Sequence, residues 1–241
     1  MADLRFYLDP VCPFAWMTSR WVRTVAAHSD YDVEWRFISL RLLNAHVDYD
    51  AQFPADYEAG HTAGLRVLRL LHRVRDEHGN DAVERLHAAY GRRIFEADDS
   101  ADLDAGFRGT APLVGPLLEE VGLPAWLVEA LDDTARDAAL QAETDEALAL
   151  TGKDVGTPIL HVEPDAADGG VGFFGPVISR VPDDEQAVAL WDHVVGLARF
   201  GGFAELKRSL RERPQLASFG VTTAEVGATD DWHGGSRRQH R

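Results

Sequence analysis

The chain holds one cysteine in 241 residues, so no disulfide can form within it and no cysteine-based zinc site exists. Basic residues are scarce against acidic ones: 24 Lys and Arg face 40 Asp and Glu, a formal charge of −16. Phosphate backbones are held by clustered Lys and Arg, so nucleic acid is excluded as a partner, and the acidic surface serves solubility. No run approaches the ~20 apolar residues of a membrane span, so no membrane partner is expected. Met1-Ala2-Asp3-Leu4-Arg5 lacks the basic and apolar regions of a secretory signal; the expected location is the cytoplasm. Ten histidines occur without a His-Glu-x-x-His pattern, and no metal site is expected. No Gly-rich loop follows a strand pattern, which removes the usual nucleotide sites. Internal repeats are absent too.

What is present is concentrated near the start, in Leu8-Asp9-Pro10-Val11-Cys12-Pro13-Phe14-Ala15-Trp16. An apolar strand-like run, Leu4 to Leu8, enters this stretch, and a helix-like run leaves it. A sulfur at a helix start lies near unpaired N–H groups and the positive end of the helix dipole. Both favour a thiolate, so Cys12 is expected to be a nucleophile near neutral pH. The competing reading is a small buried hydrophobe, the usual fate of a lone cysteine. Flanking prolines and the strand-to-helix position favour the nucleophile.

The rest of the chain is long enough, and at 45% hydrophobic residues apolar enough, to bury a core as one domain with an insertion or two intimate domains. A helix is expected from about Pro13 to His28, with proline in the first turn where its missing N–H costs nothing. Val33 to Leu40 reads as a second strand, parallel to the first because a helix connects them. Tyr57 to His78 and Asp81 to Phe95 carry apolar positions at helical spacing, separated by Gly79-Asn80. Pro112 to Val121, Pro124 to about Leu131 and Asp133 to Leu150 read as further helices. Strands return at Gly156 to Val162 and Val171 to Pro176, followed by helices at Asp184 to Phe200 and Phe203 to Leu210. From about Arg213 the chain lacks apolar periodicity and is expected to be a disordered tail, ending in the basic Ser236 to Arg241. The expected organisation is a β-α-β part over residues 1–50, a helical insertion over 51–150, a β-β-α part over 151–211 and the tail over 212–241.

This order, with a cysteine opening the first helix and Gly156-Thr157-Pro158 before the third strand, resembles the thioredoxin superfamily. The fold implied is α/β, a thioredoxin-like four-stranded mixed sheet with an inserted all-helical domain. That arrangement is DsbA-like, and is shared with 2-hydroxychromene-2-carboxylate isomerases and kappa-class glutathione transferases. Within it the chain resembles the mycothiol-dependent nitroreductase group of DsbA-like oxidoreductases. The resemblance is carried by Asp9-Pro10-Val11-Cys12-Pro13-Phe14, Thr18-Ser19-Arg20-Trp21, Ser39-Leu40-Arg41-Leu42-Leu43-Asn44, Asp154-Val155-Gly156-Thr157-Pro158, Phe173-Phe174-Gly175-Pro176 and Phe203-Ala204-Glu205-Leu206-Lys207-Arg208. These stretches span residues 3 to about 210.

The resemblance implies that Pro158 is cis and faces Cys12, and that Thr157 offers its backbone to an extended thiol substrate. A trans proline opening an edge strand is the other reading. Where the superfamily's motif is Cys-Pro-aromatic-Cys, this chain has Ala15, so no second sulfur resolves a mixed disulfide. A monothiol cycle remains, with Cys12 as the catalytic residue and a low-molecular-weight thiol, mycothiol by the resemblance, as cofactor. Nitro-aromatic or quinone-like acceptors and mixed disulfides are the implied small-molecule partners. Two other readings stay open: a transferase or isomerase in which a bound thiol is the nucleophile, and a non-catalytic binding protein. In each case a monomer or a homodimer is expected. Pro13, Phe14, Ala15 and Trp16 are expected to line the site beside the sulfur, with Phe14 able to stack a flat substrate. Asn44 either places an amide above the cleft or caps a turn. Tyr57 opens the insertion that would close over Cys12.

Overall fold

The central strand β1 (Leu4–Leu8) has both neighbours in place in a computed structural model that describes residues 2–152, 155–208, 210–221 and 229–231. It pairs in parallel with β2 (Val33–Phe37), Leu4 opposite Val33 through Leu8 opposite Phe37. On its other side it runs antiparallel to β3 (Ile159–Val162), which continues into an antiparallel pair with β4 (Val171–Phe174). The order β2-β1-β3-β4 makes a four-stranded mixed sheet. A central strand is covered on both faces, which is why Leu4, Phe6, Tyr7 and Leu8 are all fully buried.

Helix α1 (Pro13–His28) makes the crossover from β1 to β2, as a parallel pair requires. It turns Trp21 against Trp191 of α8 (Asp184–Arg199), ring centroids 5.4 Å apart and edge to face. Such a pair stabilises by about 0.5–1.5 kcal/mol beyond the area it buries. The opposite face of the sheet packs Tyr7, Ile38 and Ile159 with Ala147, which lies on α7 (Asp137–Thr151).

Between β2 and β3 the chain is helical. The one-turn helices α2 (Leu40–Leu43) and α3 (Tyr49–Gln52) lead into α4 (Tyr57–His78) and α5 (Asn80–Gly91). A π turn at Arg92–Glu96, short 3-10 turns, α6 (Ala111–Glu120) and α7 follow. Leu65, Leu68, Leu71 and Val74 give α4 its buried stripe, the spacing that dictates an amphipathic helix. Glu143 of α7 ties the segment to the sheet: it accepts the Phe37 N–H at 3.0 Å and pairs with Arg75 of α4 and Arg36 of β2.

Four expectations need correction. Strand two stops at Phe37, because the Ser39 side chain accepts the Leu42 N–H and starts α2, so Leu40 to Leu43 is helix rather than strand. The helix expected from Pro124 to about Leu131 is present, as a 3-10 helix at Ala125–Asp132, but α7 begins at Asp137 rather than Asp133. Among the described residues of the helix expected at Phe203 to Leu210, none is helical: the Phe203 ring lies flat on Phe173 of β4 at 5.7 Å, and Leu210–Glu212 is a strand, β5, paired with β6 (Thr229–Asp231). Residues 213–221 are not a structureless tail: Leu216 is buried, and a 3-10 turn at Ala217–Phe219 lies against the turns at Arg92–Glu96 and Ser100–Asp102. Asp154 of the resemblance motif, residues 222–228, and residues 232–241 with the basic Ser236 to Arg241 end lie outside the described residues. Among the described residues, no helix is long and apolar enough to cross a membrane.

Candidate active site

Cys12 is the N-cap of α1, with extended backbone (φ −82°, ψ 116°), and its sulfur accepts the Ala15 N–H at 3.4 Å. Its own backbone N–H donates to the Asp9 carbonyl at 3.0 Å, closing a tight turn after β1. Across the sheet, the thiol donates to the Thr157 carbonyl, with Sγ and O 3.4 Å apart. The Thr157–Pro158 peptide bond is cis, as is Gly175–Pro176. The Pro158 carbonyl accepts the Gly175 N–H at 2.9 Å, and Thr18 of α1 donates its hydroxyl to the Pro176 carbonyl at 2.7 Å. Those bonds tie the ends of β3 and β4 to the helix that carries the sulfur.

Electrostatics at the sulfur differ from the expectation. Cys12 is only 7% exposed. Burial pushes its thiol up to about 12; the nearby Asp9 charge adds to the rise, and the N–H groups of Ala15 and Phe14 oppose it. The helix start is where the sequence placed it, but desolvation outweighs it, so the free chain holds a thiol rather than a thiolate at neutral pH. The hydrogen bond to Thr157 fits that form, since only S–H can donate to a carbonyl.

The structure brings Cys12, Pro13, Phe14 and Ala15 to one place with Thr157 and Pro158. Pro13 and Phe14 are half-buried, while Ala15 and Pro158 are buried. Trp16 points its ring into the core instead: it packs on Phe95 and His87, lies over Gly91, and donates its indole N–H to Glu96 at 3.0 Å. Asn44 is the C-cap of α2, with its side-chain amide donating to the Leu40 carbonyl at 2.8 Å; of its two readings, the cap describes its contacts. Tyr57 is 47% exposed and stacks on Phe53 at 5.3 Å and against His61 at 5.6 Å, away from any bond to the sulfur. Two turns further along α4, about 10 Å by helical rise, Gly64 meets the Cys12 loop, where a Cβ would come within 2.7 Å of Asp9 Oδ1 and 2.8 Å of Val11.

Asp9 stands in the Cys12 motif without a role that its sequence position predicts. Its carboxylate is fully buried, accepting the Val11 N–H at 3.0 Å and the Leu40 N–H at 2.8 Å. Burial raises it to about 7, against the lowering effect of those two N–H groups. An acid between the end of an apolar strand and Pro10 was the available signal. Among the described residues, no cluster of three or more His, Cys, Asp or Glu could hold a metal ion.

The family model described as Rv2466c-like, mycothiol-dependent nitroreductase Rv2466c, matches residues 11–208. The chain is 30% identical over 210 residues to the uncharacterized protein Rv2286c of Mycobacterium tuberculosis (strain ATCC 25618 / H37Rv), covering 86% of this chain and 82% of that protein. Among solved structures, a 2-hydroxychromene-2-carboxylate isomerase superposes with a TM-score of 0.51 at 11% identity, over 83% of this chain and 97% of that one. The cytosolic disulfide reductase DsbM from Pseudomonas aeruginosa gives a TM-score of 0.49 at 18% identity, over 81% and 99%. The chain belongs to the Rv2466c-like, mycothiol-dependent nitroreductase family, thiol-dependent oxidoreductases of DsbA-like thioredoxin fold.

Proposed function

We propose that this protein is a monothiol oxidoreductase in which Cys12 exchanges with a low-molecular-weight thiol of the mycothiol kind, taken as a substrate rather than a resident group. The observation that carries this reading is the facing of a lone cysteine and the Thr157–Pro158 backbone, with Sγ 3.4 Å from the Thr157 oxygen. In the forward step Cys12 gives up its proton as its sulfur attacks the R-bearing sulfur of a mixed disulfide R′–S–S–R. A Cys12–S–R bond forms and R′–S⁻ departs with the electron pair of the broken S–S bond, leaving as R′–SH once protonated. A cellular thiolate R–S⁻ then attacks the sulfur of the R group, releasing R–S–S–R and restoring Cys12, so that R′–S–S–R is reduced at the expense of the small thiol. Nothing within the chain performs that second attack, because Ala15 stands where a resolving sulfur would be. Nitro-aromatic acceptors, suggested by the family's name, and quinone-like ones would take two electrons and two protons from two R–SH, which leave as R–S–S–R.

The half-buried Phe14 ring suits the flat face of such an acceptor. Incubation with mycothiol disulfide followed by intact mass measurement should add one thiol per chain, absent in Cys12→Ser. An unmodified mass after prolonged incubation at pH 8 to 9 would sink the reading.

A second reading has its own support. The sulfur is protonated and donates a hydrogen bond in the free chain, which suits a residue that steadies a bound thiolate without reacting, as a transferase or isomerase would need. Cys12→Ser separates the two: turnover of an acceptor with mycothiol survives in this case and vanishes in the first.

A further inference from the structure

The geometry points to Asp9 as the positioning residue of the Cys12 site, a buried carboxylate that fixes the loop carrying the sulfur and shares with it a single negative charge. The inference deepens the proposed thiol chemistry and rests on Cys12 being its reacting group.

Three bonds converge on this residue. Its carboxylate accepts Val11 N–H from the loop and Leu40 N–H from the start of α2, and its backbone carbonyl accepts the Cys12 N–H. Helix α4 presses on the same carboxylate through Gly64, whose lack of a side chain permits the approach. So one side chain holds the loop, α2 and α4 in register around the sulfur.

Among the described residues, burial and the two N–H groups, and no cation, set its protonation. Its charge is felt at Cys12 on its own loop, at Tyr90 on α5 and at Tyr49 on α3. Tyr90 donates its hydroxyl to the Arg108 carbonyl, Tyr49 is bonded to His61, and Arg41 pairs with Glu58 over the Tyr49 ring. The hydrogen bonds recorded for the carboxylate come from the Val11 and Leu40 N–H groups. Two negative charges in one desolvated pocket cost more than one, so Asp9 and Cys12 titrate as a pair. Loss of the first proton leaves either a carboxylate beside a thiol or a thiolate beside a carboxylic acid. These forms have the same proton count, so their ratio does not change with pH. Only the second proton loss, at high pH, makes both anionic.

The test follows the rate of Cys12 alkylation by iodoacetamide from pH 5 to 10, with stability of the protein at each pH checked by circular dichroism. The expected wild-type profile rises to a partial plateau near neutrality and rises again at alkaline pH. Asp9→Asn should give one rise only, with a thiol at least about tenfold easier to ionise than the second wild-type step. A single smooth wild-type rise with no plateau overturns the inference, as does an Asp9→Asn profile that matches wild type. Where the variant does not fold, carbon-13 NMR of the wild-type Asp9 carboxyl decides. A titration that coincides with the first alkylation step supports the pair, and one in the ordinary carboxylate range overturns it. Iodoacetamide reads sulfur ionisation without a cellular thiol. A two-step profile with no mycothiol adduct therefore removes the proposed function and keeps Asp9's role, and an adduct with a one-step profile does the reverse.

Discussion

The Cys12 sulfur lies 3.4 Å from the carbonyl oxygen of Thr157, a residue 145 positions later in the chain. That contact joins the start of α1 to the entrance of β3, and it exists only because β1 pairs antiparallel with β3 from Leu4–Val162 to Tyr7–Ile159. The register that packs the sheet therefore also assembles the site. Four outcomes follow from the way it is supported.

Gly64→Ala places a methyl group 2.7 Å from Asp9 Oδ1 and 2.8 Å from Val11 Cγ2. Helix α4 or the Cys12 loop must give way, at about 1–3 kcal/mol of stability. Urea unfolding should show the loss, and Cys12 alkylation at pH 8 should change with it. An unchanged midpoint and an unchanged rate would show that the loop does not lean on α4.

Asp9 is raised in the folded protein, so the folded state keeps a proton that the unfolded chain gives up near the ordinary value of about 3.9. This contribution to stability is fully present below about pH 3.9 and is lost as pH climbs through about 7. The unfolding free energy of wild type should fall relative to Asp9→Asn across that window, by an amount on the order of a few kcal/mol. A difference that stays constant from pH 4 to 7 contradicts the assignment.

Glu143→Ala strips the carboxylate partner from Arg75 of α4, whose side chain is mostly buried, and leaves the Phe37 N–H without its acceptor. Removing one member of a buried ion pair costs about 3–5 kcal/mol. The melting temperature should drop sharply, while the pH profile of Cys12 alkylation in the folded variant stays as in wild type. A shifted profile would show that this network reaches the sulfur.

Truncation after Arg213 removes Leu216, which is 2% exposed, together with the turn at Ala217–Phe219. Burying one leucine side chain is worth about 1.5–3 kcal/mol. The truncated protein should therefore melt several degrees lower, whereas an inert tail would leave the melting temperature where it was.

Local pattern made much of the frame legible. Tyr57–His78 was readable to its ends because a 22-residue helix repeats its apolar stripe many times before Gly79 stops it. Pro13 and the strand-like Leu4 to Leu8 located Cys12 at a helix start. Short elements were read less well. At Leu40 to Leu43, four apolar and basic residues fit either a strand end or one helical turn, and the choice fell to the Ser39 hydroxyl capping Leu42. At Phe203 the helical pattern lost to a ring stacked on Phe173, a partner 30 positions away. Leu216, isolated among polar residues, gave no periodic signal, yet the turns of the insertion bury it.

By itself the sequence determined that there is one sulfur, that it stands at a strand-to-helix junction, and that Ala15 denies it a partner three residues on. Those are properties of identity and spacing along the chain. Only the tertiary structure decided how that sulfur is charged. A helix N-terminus favours a thiolate through groups one to three residues away, but desolvation comes from everything packed around the site, with a buried carboxylate added from Asp9. That long-range sum outweighs the local field and leaves Cys12 a thiol facing Thr157.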